Sequence, residues 1–395
     1  MVVYEQAAQF LPTVGAGFGL SANGQIVLAS LGIDSHQEIG QPFDRVVRLT
    51  KDGTAVLQES NVFEQLRQRT GFGISGLLRK DLIDILVAPL LESKTILYSH
   101  KLTTIEQQHD KVELKFANGQ EDTVDLVVGA DGIHSTVAEL LSIDPSPPIY
   151  SNANIFYGKI PDPDLIEWEN PYICQDKTIV YVPGGVGEFL VFPSGPDSRK
   201  VLIWATTYQA TDAPSRQQGG RTTEEWQLGN VQELDRFRRD HYPNPKNPIH
   251  ELARHTAPEN LLHFGLYYRR HKRSWFRDRV VLLGDSCHAT LPYVGQGANQ
   301  AMEDAIVLSD SLLEHPEDHH SAFTQYYNRR FTRTKRIVQV ASILDKLFHS
   351  QKFMAKAILE LFQSQIVTGG ILFRQLKREI IQECPVKDYK RFLPK

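Results

Sequence analysis

Between Arg279 and Asp304 the chain reads RVVLLGDSCHATLPYVGQGANQAMED, and here residue type and spacing point to ligand chemistry. Val280 to Leu283 is a short apolar run, rich in β-branched residues and closed by Gly284, as an interior parallel strand requires. Asp285 then falls at the strand's carboxyl end. Open α/β sheets place ligands at that edge, and a carboxylate there can accept hydrogen bonds from ribose-type hydroxyls without a counter-charge. Pro292 blocks an early helix. Downstream, Ala298, Ala301, Met302, Ala305, Ile306, Ser309 and Leu312 recur at helical spacing, which predicts a helix packed closely along one small-residue face. Its first turn, Gly295-Gln296-Gly297-Ala298-Asn299, has few side chains to keep a flat ligand away. The first-turn N–H groups and the helix dipole favour a partial negative charge there.

This stretch closely resembles the GD motif of the flavin-dependent aromatic hydroxylases, the p-hydroxybenzoate/salicylate hydroxylase-like group of FAD monooxygenases (class A flavoprotein monooxygenases). A Gly-Asp pair alone would be a plain strand-turn-helix. The run Leu-Pro-Tyr-Val-Gly-Gln-Gly-Ala-Asn-Gln-Ala in register behind it makes the match specific. In that family the aspartate binds the ribityl chain of FAD and the Gly-Gln-Gly helix start faces the isoalloxazine. The resemblance therefore implies cofactor-binding roles for Asp285, Gly295, Gln296, Gly297, Ala298 and Asn299.

Other segments fall into the same frame. Met1–Glu5 reads as a strand ending in an acid, and in a dinucleotide-binding βαβ unit such an acid binds the adenosine ribose. By resemblance this is the family's second strand, with Glu5 in the ribose position. The first strand, the Gly-x-Gly-x-x-Gly turn and its helix, a segment of about 30 residues, are then expected to be missing. Gly71-Phe-Gly73-Ile-Ser-Gly76 fits that pattern but follows the polar stretch 61–70 instead of a strand, so it reads as a glycine loop. Gly15-Ala-Gly17-Phe-Gly19 matches the family's turn after the second strand and puts Gly19 near FAD; a plain turn is the alternative. Arg79 opens a helix carrying Leu82, Ile83, Leu86, Val87, Leu90 and Leu91 on one face, with Pro89 ending or kinking it. On bare sequence Arg79 is a surface residue. However, Leu78-Arg-Lys-Asp-Leu82 resembles the family segment whose arginine reaches the FAD pyrophosphate, a task suited to a forked, always-charged guanidinium. Leu102 lies where relatives pass a backbone group near the adenine. Asp125–Val137 carries the family's DG motif, tied to the pyrophosphates of FAD and NAD(P)H. Asp131 is either that contact or the N-cap of a helix over 133–141, two readings that stand level. No arginine follows this motif.

The positioning elements are legible in outline. A helix over 23–31 and a hairpin over 46–57 with an Asp-Gly turn precede strands at 95–106, 111–116 and 123–128 around Asn118-Gly119. Asp144-Pro-Ser-Pro-Pro148 marks a boundary. Strand-like runs at 154–160, 178–182, 188–192 and 201–208 predict an antiparallel sheet inserted over 151–279. By resemblance this is the substrate-binding half. Tyr157 stands there where many relatives have an arginine and Phe192 where some have a tyrosine, which implies an apolar pocket; both also read as ordinary sheet aromatics. Glu224–Arg238 reads as a solvated charged helix and Ala322–Leu347 as a long helix. A tail over 346–395 covers a domain or makes a subunit contact, which leaves a homodimer open. His315–His320 reads as a polar loop instead of a metal cluster. Cys287-His288 lacks an identifiable orienting group for thiol catalysis.

At 395 residues the chain is long enough for two or three domains. Its net charge of −4 offers no general attraction for nucleic acid. Cys174, Cys287 and Cys384 form no disulfide framework, so a reducing, cytoplasmic setting is expected. There is neither a spanning apolar run nor a basic-then-apolar leader. The fold class is α/β: a Rossmann-like FAD-binding domain (1–150 and 280–345) interrupted by an antiparallel β-sheet substrate domain (151–279), with a helical C-terminal tail (346–395). The resemblance implies that NAD(P)H reduces FAD, that dioxygen forms a flavin hydroperoxide, and that one oxygen atom passes to an aromatic or electron-rich small molecule. A truncated, non-catalytic remnant and a flavin-dependent reductase of the same fold are the alternatives. No general base is identifiable.

Overall fold

The computed structural model describes residues 1–9, 17–34, 39–50, 52–93, 95–143, 146–182, 187, 189–210 and 229–350, with 354, 357, 358 and 361. The chain divides into two compact units, each built from three segments. The first comprises Met1–Thr13, Leu82–Ile149 and Tyr267–Ser342; the second comprises Val14–Asp81, Tyr150–Leu266 and Ile343–Lys395.

The first unit is α/β. Val127–Gly129 runs parallel to Val280–Leu282, and Phe276–Arg277 adds antiparallel on the other side. The 280–282 strand is therefore interior, and its three side chains are fully buried. A second parallel pair, Val3–Tyr4 with Ile96–Leu97, forms its own sheet, so among the described residues the Rossmann-like layer is in two parts. Among the described residues Val127–Gly129 is the edge strand of its sheet, and Val128 is 46% exposed. Leu102–Gln107, Val112–Phe116 and Glu121–Val124 make an antiparallel meander, with Gly119 at positive φ in the predicted turn.

Two runs expected to be single strands are broken. The 95–106 run breaks at Ser99, which is left-handed at φ 58, as its N–H turns to Ala7 O and that of His100 to Glu5 O. The 123–128 run divides between Val124 and Val127 as its two halves join different sheets.

The core of this unit gathers Val112, Leu114, Val137, Trp275 and the 280–282 strand against Val307, Phe323 and Tyr326 of two helices, Gly297–Glu314 and His319–Phe348. The first of these helices corrects the expectation above. Its buried face is Asn299, Gln300, Glu303, Asp304, Val307, Leu308 and Ser311, whereas Ala298, Ala305 and Ser309 are exposed. The charges lie inside because two arginines of the long helix neutralise them there.

In the second unit a seven-stranded sheet has the order Leu261–Tyr268, Ile149–Pro161, Val201–Gln209, Phe189–Ser194, Thr178–Tyr181, Arg45–Leu49, Val56–Ser60. It recruits the predicted Asp52-Gly53 hairpin, and Thr178–Tyr181 runs parallel to Arg45–Leu49. Gly17–Leu20, Ile74–Leu78 and Gly40–Phe43 form a three-stranded sheet. The glycines of the 71–76 run have local duties. Gly71 ends the Val62–Thr70 helix in the left-handed region, and a Cβ on Gly76 would lie 2.0 Å from Pro193 O. Val231–His241, expected to be wholly solvated, starts after Asn230, whose side chain accepts from Gln232 N–H, and it buries Leu234 and Phe237 in the core. The predicted start of that helix at Glu224, and most of the 346–395 tail, lie outside the described residues.

Candidate functional site

The strand exit is a sharply turned segment held from below. Gly284 adopts φ 65, ψ −135, a conformation that favours glycine, and Asp285–His288 follows as one helical turn. Leu283 N–H donates to Ser286 Oγ at 3.0 Å, and that hydroxyl donates to Gly129 O at 2.7 Å. Cys287 and His288 N–H both donate to Gly284 O at 3.0 Å. Ser286, Cys287 and His288 are buried, so the turn presents only Asp285 at the surface.

The second half is the start of the Gly297–Glu314 helix. After a short turn at Pro292–Val294, Gly295 is left-handed at φ 59. A Cβ on Gly295 or Gly297 would meet nothing within 4 Å, so this backbone faces open space. Gln296 and Asn299 point the other way, each 1% exposed. Asn299 Nδ2 donates to Gly295 O at 2.8 Å, and Gln300 Nε2 donates to Gln296 Oε1 at 3.0 Å. What remains on the outside is Gly295, Gly297 and Ala298. Helix geometry leaves the first-turn N–H groups without intrahelical carbonyls. Such a surface fits the edge of a flat ring that bears carbonyls and gains negative charge.

A buried charge network lies beneath both halves. Asp304 Oδ2 accepts from Gly284 N–H at 3.0 Å and lies 2.6 Å from His288 Nε2. Its Oδ1 accepts from Arg330 Nε at 2.7 Å. Arg330 also binds Glu303, which Arg333 grips through Nε at 2.8 Å and a terminal nitrogen at 2.6 Å. Burial alone would lower the His288 pKa, but the Asp304 carboxylate outweighs it and holds the imidazolium well above its ordinary range. Burial would raise Asp304, yet His288 and Arg330 keep it below its ordinary value. Asp304 thus supplies the orienting group that Cys287-His288 was expected to lack. The thiol is nevertheless fully buried and burial pushes its pKa up, so it is not an available nucleophile. Cys287, His288 and Asp304 lie within metal-ligating reach of one another, but both Asp304 oxygens are engaged and Arg330 would oppose a cation.

The network predicts a pH dependence. A raised folded-state pKa for His288 contributes stability that is complete below its unfolded value of about 6.5 and is lost as pH rises through the folded value. Urea unfolding followed between pH 6 and 9 should show stability declining with pH, and His288→Gln should flatten that decline.

The remaining sequence candidates divide between the units. In the first, Glu5 follows the Val3–Tyr4 strand, half-buried, and its Oε1 accepts from Ala7 N–H at 2.8 Å. Leu102 begins a strand and packs on the core. Asp131 is exposed. It accepts from Ser135 Oγ at 2.5 Å and Val137 N–H at 3.0 Å, while Ser135, not Asp131, is the N-cap of a helix shorter than expected, Thr136–Leu140. Buried Arg269, from far along the chain, donates to Ile133 O and Ser146 O and fixes the loop.

In the second unit Gly19 pairs with Gly76 in the three-stranded sheet, and Arg79 is the half-buried first residue of the Arg79–Glu92 helix, which runs on through Pro89. Tyr157 is buried and its hydroxyl donates to Gly17 O at 2.6 Å; Phe192 meets Phe43 edge-on at 5.9 Å. Tyr157→Phe should therefore cost about 1 kcal/mol of stability, the net worth of a buried hydrogen bond, measured by denaturant titration.

Sequence reading passed over Glu303 and Asp304, and took Arg330 by resemblance as a structural member of the family's Tyr-x-x-Arg-Arg region (326–330) in the long helix. The available signal was an acid pair in a helix otherwise rich in small residues, with Arg330 and Arg333 one turn apart downstream. An open groove of about 560 Å³ lined by His315, His320, Gln325 and Arg329 lies at the opposite end of the 18-residue Gly297–Glu314 helix. That is roughly 27 Å of helix away from Gly297, too far to share its chemistry.

Comparison with known proteins accords with this geometry. Residues 75–341 match the family described as FAD binding domain. A 3-amino-4-hydroxybenzoate 2-monooxygenase from Streptomyces cremeus is 30% identical over 360 residues, covering 88% of this chain and 81% of that protein. A 6-hydroxynicotinate 3-monooxygenase from Pseudomonas fluorescens is 26% identical over 341 residues, covering 86% and 83%. Klebsiella pneumoniae HpxO, solved with FAD and uric acid, shares the fold with a TM-score of 0.78 at 20% identity, over 97% of this chain and 90% of that one. By its matched domain and its aligned relatives, the chain belongs to the class A FAD-dependent aromatic monooxygenases.

Proposed function

We propose that this enzyme inserts one oxygen atom of dioxygen into an aromatic or electron-rich small molecule, using NAD(P)H as reductant and FAD held at the Asp285 turn and the Gly295–Asn299 helix start. The observation that carries this reading is the pairing of one exposed carboxylate at the end of a buried strand with a helix start whose glycines face open space. FAD, when bound, supplies the electron transfer and the activation of dioxygen.

The chain's own residues bind and orient. Asp285 would accept hydrogen bonds from the ribityl hydroxyls, and Glu5 would take the adenosine ribose. By resemblance Arg79 and Asp131 would serve the diphosphate, and Gly19 and Leu102 would offer backbone. The Gly297 helix start would stabilise negative charge on the flavin through its N–H groups and dipole. Tyr157 spends its hydroxyl on Gly17 O, so it contributes position and an apolar wall and not a proton. Its phenol is held well above the ordinary range by burial, which supports the same reading. Among the described residues no helix is long and apolar enough to cross a membrane, in keeping with a small-molecule enzyme.

The test is to supply the purified chain with FAD, NADH or NADPH, and a panel of aminohydroxybenzoates and hydroxynicotinates under ¹⁸O₂. Product carrying one labelled oxygen is the expected result. The same turnover in anaerobic solution, with no oxygen incorporated, would instead establish a reductase. Failure to retain flavin at all would mark a non-catalytic remnant.

A further inference from the structure

We infer that Arg330 is a positioning residue that locks the two halves of the cradle to one another, an inference that rests on the FAD site proposed above. Its guanidinium is completely buried and forks. Through Nε it holds Asp304 Oδ1 at 2.7 Å, and the other oxygen of that carboxylate receives the Gly284 N–H at 3.0 Å and His288 Nε2 at 2.6 Å. One carboxylate oxygen thereby pins both ends of the turn that carries Asp285. Through a terminal nitrogen Arg330 donates to Gln300 Oε1 at 2.6 Å, and Gln300 Nε2 donates to Gln296 Oε1 at 3.0 Å. Gln296 stands between Gly295 and Gly297. Each branch reaches a residue beside a ligand-facing one within two hydrogen bonds of the same guanidinium, the first at the Gly284 N–H and the second at the Gln296 side-chain oxygen.

The third contact, to Glu303, is balanced separately by Arg333, and Glu303 meets the helix-start branch only weakly, its Oε1 accepting from Gln300 Nε2 at 3.4 Å. A planar fork can hold two partners in fixed directions, whereas a lysine ammonium of the same charge cannot. The spacing between the Asp285 carboxylate and the helix start, which a rigid ligand must span, is thus set by a side chain that never meets the ligand.

Gln300→Met decides the matter, since it removes the side-chain link from Arg330 to Gln296, together with a long 3.4 Å contact to Glu303, and leaves every ion pair and the Arg330 bond to Gln300 O in place. Arg330→Lys keeps the charge and loses the fork. Both are compared with wild type and with Asp285→Ala by titration of FAD fluorescence, by visible circular dichroism of bound FAD, and by melting without FAD. Gln300→Met and Arg330→Lys should each weaken FAD about tenfold or more, equivalent to about 1.4 kcal/mol, and alter the visible dichroism. Gln300→Met should melt a few degrees below wild type, far less than the loss expected from removing the guanidinium. If Asp285→Ala releases FAD but Gln300→Met and Arg330→Lys bind it with wild-type affinity and dichroism, Arg330 is merely structural and the inference fails. A Gln300→Met that melts early yet binds FAD normally overturns it equally. Undiminished binding by Asp285→Ala would remove the site itself, a different result.

Discussion

Arg330→Met is expected to remove about 3–5 kcal/mol of folding stability, because it takes a buried cation from a fully buried network and leaves Glu303 to Arg333 and Asp304 to His288, each short of a charged hydrogen-bond donor. Glu303, Asp304 and Arg330 have side chains with no exposure at all, so water cannot take the place of the lost guanidinium. Domains of ordinary stability have about 5–15 kcal/mol in total, and the variant should therefore unfold at markedly lower urea concentration or fail to accumulate. The companion substitution Asp304→Asn in the Arg330→Met background should recover part of the loss, since His288 can then give up its proton and Glu303 stays paired with Arg333. A loss below about 1 kcal/mol for Arg330→Met alone would mean that this interior admits water and that the ion pairs are worth no more than surface ones.

Asp285→Ala should act in the opposite sense: little on the fold, much on the ligand. The side chain is exposed, and the turn below it is held by Ser286, His288 and Asp304. Removing a carboxylate that accepts from ribityl hydroxyls should cost about 1.5–3 kcal/mol of FAD binding, roughly ten- to a hundredfold in dissociation constant. Fluorescence titration measures the affinity, and urea unfolding without FAD checks that stability is unchanged. Equal flavin affinity in the variant and wild type would sink the assignment of Asp285.

These two residues also show where sequence was informative and where it was not. Asp285, Gly295 and Gly297 were legible because strand, turn and helix start are local, and a glycine in a left-handed or open position announces itself by its type. Glu303 and Asp304 were passed over. Hydropathy places charges outward, and the small residues Ala298, Ala305 and Ser309 on the same helix made an opposite buried face look natural. What reverses the helix is the pair Arg330 and Arg333, some 26 to 30 residues further on in the chain, a tertiary fact with no local trace. Ser99 broke an expected strand because a non-glycine residue at positive φ gives no compositional warning. Asp131 seemed a free choice between ligand and cap until Ser135 was seen to hold the N-cap itself, with the aspartate reaching over it to Val137. Arg269 fixes the same loop from 136 residues away.

Val127–Gly129, at the margin of its three-stranded sheet, has a consequence for handling the protein. Its outer backbone groups and the half-bared side chain of Val128 make a ready template for a further extended segment, and such margins drive chains to adhere edge to edge. Concentrated solutions should accordingly scatter more light per unit mass of protein than dilute ones, and Val128→Lys should suppress that association by making each margin repel its copy.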